Sequence, residues 1–380
     1  MHRRRIIEAF AGAALSPVAN AMNQHTHRTL EPIVLGQTAD FSSTRAAISR
    51  AYSEGAALGF AQANAEGGVQ GRPIRIAQLD DGYDTDRAEA NARHLVEKHH
   101  ALALIHLVGT DVTARVLPFA DRAGIALVHP ITGADFLRPP ARSSRQAFFL
   151  RASYGLEMDR IVAHLDALGI QRIAAFYEDE PCGHSVMAGM RASLACRGLS
   201  LQETCSLPPN QPTVDAVMPA VRALVSARPQ AIIIGSAGPT VEKFIRAFLG
   251  AGGRSRLFGL SVTDASRMFR ELGPLCAGIT MAQVFPDVRS SVLPVVRDYR
   301  DAAIGHNVAT SGFGLEGYIS ARLIVQALRA AGPLATREQF VQALEGITQV
   351  GGFQLASQNP REGSTYTDLA TMGDDGRLMR

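Results

Sequence analysis

The chain has 380 residues, of which 46% are hydrophobic and 19% charged, with a formal net charge of +3. That length exceeds one ordinary domain and suits two lobes with separate cores, and the composition is that of a folded, soluble protein. Cations are dispersed outside the extreme N-terminus and Trp is absent, which argues against a nucleic-acid partner and against a sugar site of stacked rings.

The first residues read as an export signal. Arg3-Arg4-Arg5 form a charged leader, Ile6 to Leu15 a short apolar stretch interrupted by Glu8, and Ala19-Asn20-Ala21 a cleavage site with Met22 as first mature residue. An amphipathic N-terminal helix is the alternative, and Arg3-Arg4 also fits a loose twin-arginine pattern. No later stretch is long and apolar enough to span a bilayer.

From Glu31 onward strands and helices alternate. The predicted strands are 33–36, 74–79, 102–106 and 126–129, with helices over 44–65, 84–99 and from Asp111, a candidate cap, to Ala123. The loop Pro139 to Ser144 breaks the rhythm. A second series then begins, with strands near Phe148 and at 172–177, 199–205, 231–234 and 257–258. Helices are predicted near 155–169, 183–197, 213–227 and 239–251, then 292–304, 314–331 and 336–345, with a β-rich tail. Repetition after a break predicts an α/β fold of two doubly wound parallel sheets, covered on both faces and joined by a multi-strand hinge. Such sheets bind ligands at the carboxyl ends of their strands, which directs attention to the loops 36–44, 107–111, 130–136, 177–183, 235–239 and 259–264.

The order of segments resembles the branched-chain amino-acid-binding family of type I periplasmic binding proteins. The resemblance covers about Glu31 to Leu369. It rests on Asn64 to Ile74 (NAEGGVQGRPI), Leu79 to Asp84 (LDDGYD), Val108-Gly109-Thr110 and His129 to Ala134 (HPITGA), then Arg172 to Tyr177 (RIAAFY) and Phe313 to Tyr318 (FGLEGY). It implies a signal over 1–21, a first lobe from 30–151 and 284–350, and a second lobe from 152–283 and 351–380. It also implies a periplasmic monomer that hands a small ligand to the membrane permease of an ABC importer, without cofactor, metal or catalysis.

In that family the first lobe clamps a ligand carboxylate with backbone amides and hydroxyls, at positions matching Val108, Gly109, Thr110, Ile131, Thr132 and Gly133. For Thr110 a helix cap, and for Thr132 a turn hydroxyl, is the plainer reading of each residue alone; as a pair on adjacent strand ends they suit an anion. The second lobe departs from the pattern. Ser261 or Val262 falls where the family places the acid that pairs with the ligand's ammonium, and nearby Asp264 either substitutes for it or caps a helix. Cys182 and Ala237 fall where tyrosines are common, leaving Tyr154, Tyr177 and Phe313 as apolar walls. The acidic run Glu178-Asp179-Glu180 reads as a solvated rim. Carboxylate recognition is therefore the firmer expectation, and the ligand is an amino acid, a related aliphatic or aromatic acid, or an amide.

Other signals carry less. Gly312 to Gly317 matches G-x-G-x-x-G without the preceding strand a dinucleotide site requires, so helix packing explains its glycines. His129 ends a strand near the cleft and reads as either a core residue or a ligand contact. Cys196 and Cys205 are the nearest candidates for a disulfide, with free thiols the alternative. Asp80-Asp81 read as a turn brace, since neighbours on a strand face opposite ways. Beside the binding module stand a sensor of the same fold, which an uncleaved N-terminus would favour, and an enzyme, which a turnover assay would reveal.

Overall fold

The structure is a computed structural model that describes residues 31–43, 46–139, 144–209, 211, 213–290, 292–356 and 358–379. The expected signal lies outside the described residues. The first half runs β1 (Ile33–Ala39), α1 (Ala46–Ala65), β2 (Ile74–Asp80), α2 (Thr85–Glu97), β3 (Ala103–Ile105), α3 (Thr110–Ala123), β4 (Ala126–Val128) and β5 (Ala147–Phe148). These strands form one parallel sheet in the order β2-β1-β3-β4-β5, with Leu35 opposite both Ile76 and Ala103. The central strands are short runs buried on both faces, as a parallel sheet between helix layers demands.

The second series runs α4 (Tyr154–Ala167), β6 (Ile173–Glu178), α5 (Pro181–Ala195), β7 (Leu201–Leu207), α6 (Val214–Ala227), β8 (Ala231–Gly235), α7 (Pro239–Gly250), β9 (Arg256–Gly259), α8 (Ala265–Leu272) and β10 (Thr280–Gln283). There follow α9 (Pro294–Gly305), α10 (Gly312–Ala331), α11 (Arg337–Glu345), the hairpin β11 (Gln349–Val350) and β12 (Phe353–Gln354), then β13 (Asp368–Met372) and β14 (Leu378–Met379). The second sheet has the order β14-β13-β10-β9-β8-β6-β7. It is mixed, not wholly parallel as expected: β13 pairs antiparallel with β10, and β14 antiparallel with β13.

The chain passes between the two sheets three times, between β5 and α4, between β10 and α9, and between β12 and β13. Helix α10 returns to the first sheet and lies along α1, with its inner face entirely buried. The lobe boundary expected at 350/351 falls in the turn of the β11–β12 hairpin. Phe353 and Leu355 pack with Val295 and Leu315, so this segment stays with the helices of the first lobe through Leu355. All four cysteines are free thiols. Cys196 caps the end of α5 while Cys205 on β7 turns toward the Ala220 carbonyl, so the considered pair does not meet. Among the described residues no helix is long and apolar enough to cross a membrane.

Candidate functional site

The site is built where β3 and β4 end. Each strand is followed by a histidine with left-handed backbone, His106 at φ 57° and His129 at φ 54°, which turns the chain out of the sheet. Both imidazoles meet the Ser320 hydroxyl of α10, at 2.7 Å from His106 Nε2 and 2.7 Å from His129 Nδ1. Burial drives His106 well below the usual histidine range and His129 down to about 3, so both are neutral. His129 is thus a core residue that fastens the sheet to α10.

Beyond the histidines the two loops pair. Val108 bridges Ile131, the Gly109 N–H donates to the Ile131 carbonyl at 3.2 Å, and the Ile131 N–H donates to Leu107 at 2.7 Å. Helix α3 begins at Thr110, one residue before the expected cap Asp111, with Gly109 as its N-cap at φ 108°. Glycine is required there twice over, because a Cβ would also lie 2.7 Å from the Tyr83 ring. The Thr110 and Thr132 hydroxyls stand 2.8 Å apart, and the Ala134 N–H donates to Thr132 Oγ1 at 3.1 Å. The structure thereby narrows the clamp. The amides of Gly109 and Thr132 are committed to backbone carbonyls, of Ile131 and Pro130 respectively. What remains at the cavity wall is Thr110 at the start of α3, where the leading N–H groups of a helix lack intrahelical acceptors.

Gly133 does not line the cavity; it makes room for Tyr154, whose ring would lie 2.5 Å from a Cβ there. The Tyr154 N–H in turn donates to the Gly133 carbonyl at 2.6 Å. Tyr154 opens α4, and its hydroxyl accepts from the Cys182 thiol at 3.4 Å. Burial pushes that thiol up to about 12, so it remains protonated.

Together these loops enclose a cavity between the two lobes, of about 70 Å³ when counted over positions open to the centre of a water molecule. The first lobe supplies Ala47, Ile48, Tyr83, Val108, Gly109, Thr110 and Ile131, a wall without a charged side chain among the described residues. The second lobe supplies Cys182, Ala237, Gly238, Val262 and Thr263 together with Glu180, Glu242, Asp264 and Arg267. Arg267 and Glu242 form a two-point ion pair, Nε to Oε1 at 2.8 Å and Nη2 to Oε2 at 3.3 Å. By formal charge the second wall is net negative among the described residues, with Glu180, Glu242 and Asp264 against Arg267.

Of the residues singled out by sequence, Val108, Gly109, Thr110, Ile131, Tyr154, Ala237 and Asp264 line this cavity, and Thr132 stands directly behind Thr110. Asp264 caps α8, its Oδ1 accepting from the Ser266 and Arg267 N–H groups, and the residue also borders the cavity. Tyr177 lies outside, against the His184 ring. Ser261 and Phe313 lie in a neighbouring chamber, and Ser261 donates to the buried Glu157 through both its N–H and its hydroxyl. The acidic run separates into three roles. Glu178 is buried and accepts from Ser236 and Thr240, Asp179 is exposed beside His184, and Glu180, read as solvated rim, borders the cavity. Ile48, Glu242 and Arg267 carried no sequence signal, and Tyr83 stood only within the Leu79 to Asp84 segment without a role; the fold brings them here.

Two α/β lobes joined by three crossings, with a cavity between the carboxyl ends of their strands, define a two-lobed ligand-binding protein. The chain belongs to the periplasmic binding protein family, whose sequence model matches residues 32–373. It is similar to a substrate-binding periplasmic protein from Ralstonia solanacearum, at 30% identity and TM-score 0.83 over 91% of this chain and 99% of that one. It is also similar to a possible leucine/isoleucine/valine-binding protein from Rhodopirellula baltica, at 25% identity and TM-score 0.85 over 93% and 97% of the two chains. A curated relative, an amino acid binding protein from Pseudomonas aeruginosa, is 28% identical over 113 residues, and the match spans 30% of each chain.

Proposed function

We propose that this protein is the exported, monomeric substrate-binding component of an ABC importer, and that it captures a small aliphatic amino acid by closing its two lobes. The observation that carries this reading is the asymmetry of the cavity. Among the described residues one wall offers a hydroxyl and a helix start and has no charged side chain; the opposite wall carries three carboxylates against the single guanidinium of Arg267. A carboxylate is stabilised at the first wall and an ammonium at the second, so a zwitterion fits in one orientation. Ala47, Ile48, Val108, Ile131, Ala237 and Val262 leave the rest of the space to an apolar side chain. Glu180 and Asp264 take the place of the acid that the family pattern puts at Ser261 or Val262. In this reading the lobes are 30–151 with 284–355 and 152–283 with 356–380, and closure is a hinge motion about the three crossings that presents both lobes to a permease.

Titration calorimetry with leucine, 4-methylpentanoate and 3-methylbutylamine tests it. Leucine is expected to bind tightest, with each deletion of a charged group costing at least about tenfold. Equal affinity for leucine and 4-methylpentanoate would remove the ammonium site, and loss of none of the three on closure-blocking substitution would remove the cleft.

A further inference from the structure

The loop that follows β4 reaches three parts of the molecule. At the cavity, Thr132 sets its hydroxyl 2.8 Å from that of Thr110. Farther along, the Asp135 N–H donates to Ser185 Oγ on α5 at 3.1 Å, and Asp135 Oδ2 accepts from the Gly155 N–H of α4 at 2.9 Å, so the loop also touches the second lobe. A tight turn over Asp135–Leu137 then delivers Arg138, which is only 3% exposed. The Arg138 guanidinium donates to three carbonyls: Nη2 to Thr132 at 2.8 Å, Nη1 to Arg151 at 2.9 Å, and Nη1 also to Glu362. Arg151 lies in the crossing between β5 and α4, and Glu362 in the crossing between β12 and β13. These two crossings run side by side, the Phe149 N–H donating to the Arg361 carbonyl at 3.0 Å and the Ser364 N–H to that of Leu150 at 2.8 Å.

Among the described residues this guanidinium hydrogen-bonds only to neutral carbonyls. Burying a charge in that way stabilises a fold poorly, because desolvation opposes it and an apolar side chain would fill the space at less cost. Desolvation draws Arg138 down to about 10, so it stays charged at neutral pH. What the planar fork supplies is geometry: its donors point in fixed directions and hold the three carbonyls in one mutual arrangement. The Phe149 ring, with its centroid 4.4 Å from Arg138 Cζ, aligns the fork further. Hinge closure changes backbone angles in the crossings, and a group bonded to two crossings and to the cavity loop registers that change. We propose that Arg138 is a positioning residue for ligand capture, tying the Thr132–Thr110 hydroxyl pair to the hinge so that the clamp is set when the lobes are closed. This role rests on the cleft-closure reading above and names the residue through which the hinge acts on the binding loop.

Leucine calorimetry on the full chain, paired with X-ray scattering with and without leucine, tests the role. Arg138→Met keeps the stem and removes the fork, and should bind leucine about tenfold more weakly. Arg337→Met is the control: Arg337 also donates to two carbonyls, of Ala101 and Ala123, but ahead of β3 and β4 at the opposite end of the first sheet. It should keep leucine affinity within about twofold. In a Thr110→Val background, adding Arg138→Met should cost only about threefold or less, because the route through the hydroxyl pair is already cut. At saturating leucine the parent should contract and Arg138→Met should contract less. Arg138→Lys keeps the charge without the fork and should fall between the two, at about threefold; it carries the same comparisons if Arg138→Met does not fold. Affinity within about twofold of the parent, equal contraction, or an undiminished loss in the Thr110→Val background would each overturn the role and leave the binding site standing. A parent protein that does not bind leucine, or binds it without contracting, would overturn the functional reading itself and this role with it.

Discussion

At the start of α3 the Thr110 hydroxyl stands 2.8 Å from that of Thr132, while the neighbouring amides of Gly109 and Thr132 are already engaged with backbone carbonyls. In the proposed reading a ligand carboxylate therefore depends on Thr110 more than the loop's length suggests. Thr110→Val keeps the shape and removes one charge-assisted hydrogen bond, worth about 1.5–3 kcal/mol. Leucine and 4-methylpentanoate should both weaken by about ten- to a hundredfold in calorimetry. Equal affinity to the parent protein would move the carboxylate elsewhere. Glu180→Gln should act on the other end, weakening leucine by about tenfold while leaving 4-methylpentanoate unchanged. Part of the first wall, Val108, Gly109, Thr110 and Ile131, was legible in the sequence because these residues lie in contiguous loops after strands. Glu180 was not, since three adjacent acids look alike until β6 ends at Glu178 and α5 starts at Pro181. That bend buries the first acid, exposes the second and sets the third on the cavity wall.

The elements that hold this wall in place depend on how closely two helices approach. Helices α1 and α10 meet backbone to backbone: a Cβ on Gly55 would lie 1.9 Å from the Gly314 carbonyl oxygen, and one on Gly317 would lie 2.0 Å from that of Tyr52. Two of the glycines that spell G-x-G-x-x-G in the sequence, Gly314 and Gly317, thus serve helix packing, and they let α10 carry Ser320 between the two histidines. Gly55→Ala and Gly317→Ala should each cost about 1–3 kcal/mol in urea denaturation, since neither backbone can retreat without repacking the other. Gly312→Ala, with open space around it, should leave stability within about 0.5 kcal/mol. Insensitivity at Gly55 and Gly317 would mean the helices stand farther apart. The helices themselves were readable from periodicity and glycine stops. Strand β10 was not read, because four residues bounded by loops give no period, and its antiparallel partner β13 comes from the far end of the chain.

Across the whole molecule the buried histidines couple proton uptake to folding. His129 is neutral in the fold down to about pH 3, whereas a histidine in the unfolded chain titrates near its model value of 6.5. Between those values the unfolded state holds a proton that the folded state lacks, so stability rises with pH. The contribution is fully present above about pH 6.5 and is lost as pH falls through the window, by about 2 kcal/mol at pH 5. His106, also depressed by burial, acts in the same direction. Asp81 opposes them, because burial raises it to about 6; between 6 and its model value of 3.8 the folded state holds the extra proton, and stability from this group grows as pH falls. The buried Glu157 and Glu316, both raised by desolvation, add to that opposition. The summed pH profile therefore conceals the histidines, and a difference experiment isolates one of them. His129→Asn tolerates the left-handed backbone and can still bond Ser320, but it does not titrate. The loss of stability between pH 7.5 and pH 5, measured by urea denaturation at each pH, should be smaller in His129→Asn than in the parent by about 2 kcal/mol. Parallel profiles for the two proteins would show that His129 already takes up its proton in the folded state, and that α10 is fastened to the loops after β3 and β4 by something other than the neutral pair at Ser320.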